Sequence, residues 1–132
     1  MRYLRVRSLL DPGELRKRLD KLDAVAIRPS LAESAEELEL AAHLAVGSFE
    51  RKTNVARQLR YEFLLWLSAK TDIKSAMEAS APKGEEFLLC IFSDTKPETA
   101  CRMLDATKLP LGLKEKGEPL ALERISLSRL KK

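Results

Sequence analysis

The stretch from residue 51 to residue 77 constrains the fold most, because its pattern changes from basic to wholly apolar within one predicted helix. Thr53 or Asn54 is predicted to cap that helix, since either side-chain oxygen can accept a hydrogen bond from a first-turn N–H group. Apolar residues then recur three or four positions apart, which is the spacing of one helical stripe. The residues of this stripe are Val55, Leu59, Phe63 and Trp66.

The two ends of this predicted helix differ in polarity. Arg57, Arg60 and Tyr61 fall off the apolar stripe, so we expect the first two turns to expose a basic face. Residues 63–67 are apolar on every side, which predicts that the last turns are buried. The sequence therefore predicts one helix with an exposed cationic start and an end embedded in the core.

Short predicted strands and helices alternate through much of the remaining chain. Residues 2–7 alternate between polar and apolar, as in a strand with one buried face, and Asp11 and Pro12 then open a helix. Residues 24–27 form a second short strand. Residues 87–92 are six apolar residues between helix breakers, which predicts a central strand buried on both faces. We therefore expect a mixed α/β (α+β) fold, with a small central β-sheet packed with helices.

The hydrophobic pattern is clear in one further region of the chain and weak in another. The helix predicted after Ser34 has Ala41 and Ala45 on its inward face, and such small side chains allow a second helix to approach closely. From residue 109 onward the pattern weakens. Residues 111–113 fit an edge strand, whereas residues 119–130 fit a strand or a helix equally well.

Composition limits the class of protein. A chain of 132 residues predicts one domain spanning residues 1–132, and 45% hydrophobic with 33% charged residues is usual for a soluble globular protein. No apolar run approaches the roughly 20 residues that span a bilayer. The start of the chain lacks the apolar block of a signal peptide, so we expect a cytoplasmic protein with no membrane partner. The net charge of +4 permits an acidic partner such as RNA without requiring one.

The residues that usually perform catalysis or bind metals form no pattern here. The five glycines are scattered, so there is no phosphate-binding loop. His43 is the only histidine and is expected at the surface, while Cys90 and Cys101 are expected as small core residues rather than a disulfide or metal pair. We therefore expect no catalytic residue, cofactor or metal. The alternative is a small α/β enzyme, or a binder of a phosphorylated ligand at the basic helix start.

The basic start of the central helix is the positive functional feature. Cations beside free first-turn N–H groups suit a phosphate, and a tyrosine ring can stack on a base. Asn54 can either cap the helix or bond a base edge, and an ordinary solvated helix face is the simpler alternative for the whole cluster. The candidate nucleic-acid-binding residues are Arg51, Lys52, Asn54, Arg57, Arg60 and Tyr61.

A resemblance rests on the same stretch. It is carried by Asn54-Val55-Ala56-Arg57, Glu62-Phe63-Leu64-Leu65, Leu67-Ser68, Ile73 and Ala76-Met77. These residues resemble the central pattern of the small kinase-binding subunits of the KEOPS (EKC) complex, the family of the human PRPK-binding protein. The similarity extends from residues 41–49 to residues 87–92. The family has a glycine and an aliphatic residue after its short second helix, where this chain has Ala81 and Pro82.

The resemblance implies a non-catalytic accessory subunit of a tRNA-modifying complex. In the family, the central helix helps to hold the single-stranded 3′ CCA end of tRNA, and Arg57 matches a basic position of that helix. Another surface binds the kinase-like ATPase subunit, and a different subunit transfers the threonylcarbamoyl group to adenosine. The implied partners are therefore tRNA and the kinase-like subunit. The docking face is not identified, and the hydrophobic segment Leu120 to Leu130 is one candidate for it.

Overall fold

The computed structural model describes residues 1–129, which contain four strands, six α-helices and one 3-10 turn. The described chain divides into two compact units, residues 1–29 with 81–112, and residues 30–80 with the chain from 113 onward. A four-stranded sheet packed with helices confirms the mixed α/β class, whereas one domain spanning residues 1–132 stays a prediction. The elements are β1 (Arg2–Ser8), α1 (Pro12–Leu22), β2 (Ala24–Ile27), the 3-10 turn (Pro29–Leu31), α2 (Ala35–Glu50), α3 (Leu59–Ser68), α4 (Ile73–Ser80), β3 (Glu86–Ile91), α5 (Pro97–Met103), β4 (Ala106–Leu109) and α6 (Pro119–Ser126).

The first unit is built on an antiparallel sheet in the order β2-β3-β1-β4. The β1–β3 register places Leu4 opposite Leu89, and the β1–β4 register places Val6 opposite Lys108. Residues 87–91 of β3 are all buried, and β3 lies between two other strands. The prediction of a central strand buried on both faces is therefore confirmed.

Helices α1 and α5 pack against this sheet and close its core. Asp11 begins α1, because its carboxylate accepts a hydrogen bond from the N–H of Glu14 at 2.9 Å. Asp23, in the left-handed conformation, ends the helix and allows the chain to turn directly into β2. The buried cluster of this unit comprises Leu4, Val6, Leu22, Ala24, Phe87, Leu89, Ile91, Ala100 and Leu104.

The second unit is helical. Ser34 caps α2 by accepting from the N–H of Glu37, and the Glu37 carboxylate in turn accepts from the Ser34 hydroxyl and the Glu33 N–H. Ala41 and Ala45 are completely buried, and α3 packs against α2. Residues 63–67 of α3 are all buried, as their apolar pattern predicted. Helices α4 and α6 complete the packing around α3.

The chain after residue 105 resolves the alternatives that its weak pattern left open. The edge strand is β4, Ala106–Leu109, so the strand predicted at residues 111–113 was wrong. Pro119 begins the helix α6, which decides between strand and helix for the described part of that segment. Leu130, the last residue of the predicted segment, lies outside the described residues.

Replacing Trp66 tests the packing of α3 on α2. Its ring is buried and its Nε1–H donates to the Ser48 hydroxyl at 3.1 Å, so Trp66→Ala removes both packing and a buried hydrogen-bond partner. We expect the free energy of unfolding to fall by about 3–5 kcal/mol, the usual cost of truncating a core aromatic. Chemical denaturation of the wild type and the variant measures the difference.

Val55→Ala is the matched control, because the Val55 side chain is 47% exposed although the sequence pattern placed it on the buried stripe. It should change the free energy of unfolding by no more than about 0.5 kcal/mol. A loss in Trp66→Ala that stays within this small limit would contradict the role of Trp66 in the core.

Candidate nucleic-acid interface

The central helix begins later than the sequence predicted. Helix α2 runs to Glu50 and α3 begins at Leu59, so residues 51–58 form a connecting segment that we call the basic loop. Gln58 occupies the cap position of α3 but its side chain makes no capping hydrogen bond. The prediction that Thr53 or Asn54 caps this helix was therefore wrong.

The helix α2 ends immediately before this segment, close to a residue in the left-handed conformation. Lys52 adopts a left-handed conformation with φ 57°, which stops the helix. Its N–H donates to the Phe49 carbonyl at 3.2 Å, and the Thr53 N–H donates to the Ser48 carbonyl at 2.9 Å. This is the Schellman arrangement, which usually has glycine where this chain has Lys52. The apolar positions up to Phe49 predicted the extent of α2, but without that glycine the sequence contained no sign of this C-terminal turn.

A buried carboxylate holds the basic loop from beneath. Glu62 is completely buried, and its Oε1 accepts hydrogen bonds from the N–H groups of Val55 at 3.0 Å and Ala56 at 2.9 Å. The Asn54 side chain adds a third bond by donating from Nδ2 to the Ala56 carbonyl at 2.8 Å. These bonds satisfy backbone groups that have no helix or strand partner. The loop therefore has a defined conformation despite lacking regular secondary structure.

Three of the six predicted binding residues are exposed cations on this loop. Arg51, Lys52 and Arg57 all lie at the surface. The Arg51 guanidinium folds back over Gly47, where a Cβ atom would lie only 3.0 Å from Nη1. Asn54 is half-buried and its amide is used within the loop, so it is a structural residue here rather than the predicted cap. Arg57 keeps the exposed position predicted for it, but on the loop rather than on the helix.

Arg60 and Tyr61 differ from their predicted placement on an outer basic face. Arg60 is only 5% exposed, so its predicted position on that face was wrong. The cause is that the helix starts at Leu59, which puts Arg60 in a first turn that is packed rather than solvated. Its Nε donates to the Gln58 side chain at 2.9 Å, and its guanidinium lies 4.6 Å from the ring centre of Tyr61. Tyr61 is half-buried with one ring face covered by Arg60.

The C-terminal part of the described chain adds a residue that the sequence analysis missed. Arg129 places Nη1 2.7 Å from Glu62 Oε2 and lies with its guanidinium 4.3 Å from the Trp66 ring centre. The same Nη1 lies 3.5 Å from the Thr53 carbonyl oxygen, a long contact to the basic loop. Glu62 was the available signal, because a carboxylate inside an otherwise apolar helix needs a partner. Nothing local in the sequence identifies that partner as Arg129.

The electrostatics of Glu62 favour its charged form. Burial raises the pKa of Glu62, but the Arg129 guanidinium and the N–H groups of Ala56 and Val55 outweigh burial and hold the pKa below its ordinary value of 4.5. The carboxylate is therefore ionised at neutral pH. It can then accept from the loop N–H groups and pair with Arg129 at the same time.

Other chemistry-bearing residues lie apart from the basic loop. His43 is exposed, as predicted. Cys90 and Cys101 are free, and burial raises the pKa of Cys90 to about 12. Within residues 1–129, no three or more His, Cys, Asp or Glu side chains are grouped so as to hold a metal ion, and no helix has the length and apolar character needed to cross a membrane.

An open depression of about 170 Å³ lies beside α2. Its lining includes Arg51 but also the carboxylate of Glu50, which opposes binding of a second negative charge. The depression therefore has mixed rather than purely cationic character.

Comparisons of this sequence with protein-family models and with curated proteins found no match.

Replacing Glu62 tests whether its charge holds this arrangement together. At pH 7, Glu62→Gln leaves the Arg129 guanidinium buried without its counter-charge, and we expect a loss of about 3–5 kcal/mol in the free energy of unfolding. Because the folded-state pKa is below 4.5, the stabilisation is complete above pH 4.5 and is lost as pH falls through the folded-state pKa. The difference in the free energy of unfolding between the wild type and Glu62→Gln should therefore become smaller at acid pH.

Urea unfolding at a series of pH values from neutral to acid measures this gap. Glu123→Gln, at an exposed position of α6, is the matched control and should change stability by at most about 0.5 kcal/mol. A gap between wild type and Glu62→Gln that stays constant with pH would contradict the role assigned to the charge.

Proposed function

We propose that this chain is a non-catalytic, tRNA-binding subunit of a KEOPS-type complex for threonylcarbamoyladenosine modification. It binds the 3′ CCA end of tRNA, docks on the kinase-like ATPase subunit, uses no cofactor and acts in the cytoplasm. The observation that carries the proposal is the basic loop, whose backbone is tied to buried Glu62 while its cations point to solvent.

A loop with a fixed backbone suits a polyanionic partner. Arg51, Lys52 and Arg57 supply three exposed positive charges, and phosphate contacts provide most of the affinity in sequence-independent RNA binding. Because Glu62 already orders the loop, less conformational entropy is lost on binding. Arg57 can contact a phosphate through two N–H groups or stack on a base, which lysine cannot do equally well.

The family resemblance supports the same surface. Asn54, Arg57 and Glu62 belong to the pattern that carries the resemblance, and all three act at the basic loop. Asn54 and Glu62 hold the loop backbone, and Arg57 lies exposed upon it. Arg60 is left out of the proposed contact surface because it is buried.

The alternative, a binder of a phosphorylated small ligand at a helix start, has less support. The cations lie on the loop rather than around free first-turn N–H groups, and the nearby depression contains Glu50. The tRNA experiment below also separates these functions, since a small-ligand binder has no reason to distinguish tRNA with and without its CCA end.

Arg57→Glu should weaken tRNA binding by more than about tenfold, because it replaces a phosphate-binding cation by an anion. The fold should be unchanged, since the side chain is exposed. Higher salt should weaken binding by the wild type steeply as counterion release loses its advantage. Fluorescence anisotropy with labelled tRNA, in forms with and without CCA, measures the dissociation constant of each protein–tRNA pair.

Removing CCA should mimic the substitution, and combining the two changes should add little. Lys74→Glu, at an exposed lysine of α4 that is not part of the loop, makes the same charge change in the same unit and should have a much smaller effect. If Arg57→Glu weakened binding equally to complete tRNA and to tRNA without CCA, the loop would be only a nonspecific basic surface. Recognition of the CCA end would then be rejected.

An exposed apolar side of α6 is the docking face that we propose for the kinase-like subunit. Leu120 in the first turn of α6 and Leu127 at its C-cap lie seven residues apart, which places them on one side of the helix, and both are exposed. Ile125 points inward and is completely buried. The apolar residues of this segment therefore lie on two sides of one helix. This is why their spacing in the sequence did not distinguish a helix from a strand.

Leu120→Asp should abolish co-elution with the kinase-like subunit in size-exclusion chromatography at micromolar concentration. Leu120 is 79% exposed and lies in the first turn of α6, where a carboxylate is compatible with the helix dipole, so the fold should persist. Leu9→Asp, at a 76% exposed leucine of the other unit, should leave co-elution intact. Separate elution of the wild type would argue against docking altogether.

A further inference from the structure

We propose that Arg129 is a positioning residue for RNA binding, which fixes the conformation of the basic loop by acting through Glu62. This inference rests on the proposed function and deepens it, because it places a determinant of RNA affinity outside the surface that contacts RNA. The residue concerned belongs to the segment after α6, distant in sequence from the loop that it holds.

One carboxylate makes the connection. Oε1 of Glu62 faces the basic loop and accepts from the N–H groups of Val55 and Ala56. Oε2 faces the other way and lies 2.7 Å from Arg129 Nη1. Arg129 also reaches the start of the loop directly, through its 3.5 Å contact with the Thr53 carbonyl. The loop and the C-terminal segment are therefore held by the two sides of the same buried group.

Arg129 itself is placed to hold Glu62 rather than to meet RNA. Its side chain is only 11% exposed, and its guanidinium lies over the Trp66 ring. Within residues 1–129, its buried Nε and Nη2 have no hydrogen-bond partner, so the ion pair and the ring contact are its principal interactions. A buried ion pair contributes little net stability because desolvation offsets attraction, but it does fix geometry. Removing Arg129 alone leaves Glu62 buried without a counter-charge, so we expect a loss of stability together with a change in loop conformation.

Apart from the Glu62 bonds, the basic loop is held by the N–H bonds of Lys52 and Thr53 to α2 and by the Asn54 side chain. Ala56 is its only completely buried side chain, whereas Thr53, Val55 and Arg57 are exposed. Without Arg129, the Glu62 carboxylate would be buried without a counter-charge and would be driven to take up a proton or turn towards water. Either change weakens its bonds to the Val55 and Ala56 N–H groups. The exposed cations would then lose their fixed spacing.

Arg129→Gln tests the proposal in two measurements. Without RNA, hydrogen exchange of the Val55 and Ala56 amides should accelerate by about tenfold or more, because their acceptor is no longer fixed. With RNA, affinity for tRNA carrying its CCA end should fall by about five- to tenfold. The matched control is Arg124→Gln, which removes the same charge from α6, where Arg124 donates to the Leu67 carbonyl. The control should alter both quantities by less than about twofold.

A double-mutant comparison separates positioning from general destabilisation. If Arg129 acts by placing Arg57, the combination Arg57→Ala with Arg129→Gln should bind tRNA no more weakly than Arg57→Ala alone. Independent, additive losses would overturn the proposal. The emission of Trp66, the only tryptophan, should change in Arg129→Gln and stay unchanged in Arg124→Gln, which reports whether the ring contact has been lost.

Glu62→Gln combined with Arg129→Gln covers the case in which Arg129→Gln fails to fold, because it removes both buried charges together. It should still show faster loop exchange and weaker tRNA binding. If the folded variants kept the hydrogen-exchange rates of the loop amides and the tRNA affinity of the wild type, the positioning role of Arg129 would be overturned. A wild type that binds no tRNA would instead overturn the proposed function, and the exchange data would still decide separately whether Arg129 holds the loop.

Discussion

The second unit depends on one buried charge, the carboxylate of Glu62. Removing a carboxylate from water costs several kcal/mol, and that cost has to be offset by compensating contacts. Here two backbone N–H groups face one oxygen and a guanidinium faces the other. This compensation determines the layout, because the N–H groups belong to the basic loop and the guanidinium belongs to the segment after α6. A loop without regular structure and a segment near the end of the chain become neighbours of the same helix.

The elements that the sequence predicted well are those with a strong local pattern. Leu4 and Val6 alternate with polar residues in β1, and residues 87–91 belong to an apolar run between helix breakers that is too short for a helix and so indicates a buried strand. Ser34 and Glu37 indicate the start of α2, because their side chains form the hydrogen bonds that cap the helix. In each case burial and hydrogen bonding are decided by residues that are close together in the sequence.

The sequence predicted which exposed cations belong to the candidate site, but it did not predict how the chain arranges them. The exposed cations Arg51, Lys52 and Arg57 were identified, yet the helix expected to carry them starts only at Leu59 and leaves them on a loop. Arg60 was misplaced for the same reason. The pairing of Glu62 with Arg129 could not be predicted, since a carboxylate in an apolar helix indicates that a partner exists but does not say which one.

The separation of Glu62 and Arg129 along the chain also sets an order of events during synthesis. A ribosome releases the segment containing α2, the basic loop and α3 well before it releases residue 129. Until then Glu62 has its backbone partners but lacks its counter-charge. A nascent chain can therefore pack α3 on α2 early, but the basic loop acquires its final conformation only after residue 129 has emerged. The basic loop is thereby completed later than the packing of α3 on α2.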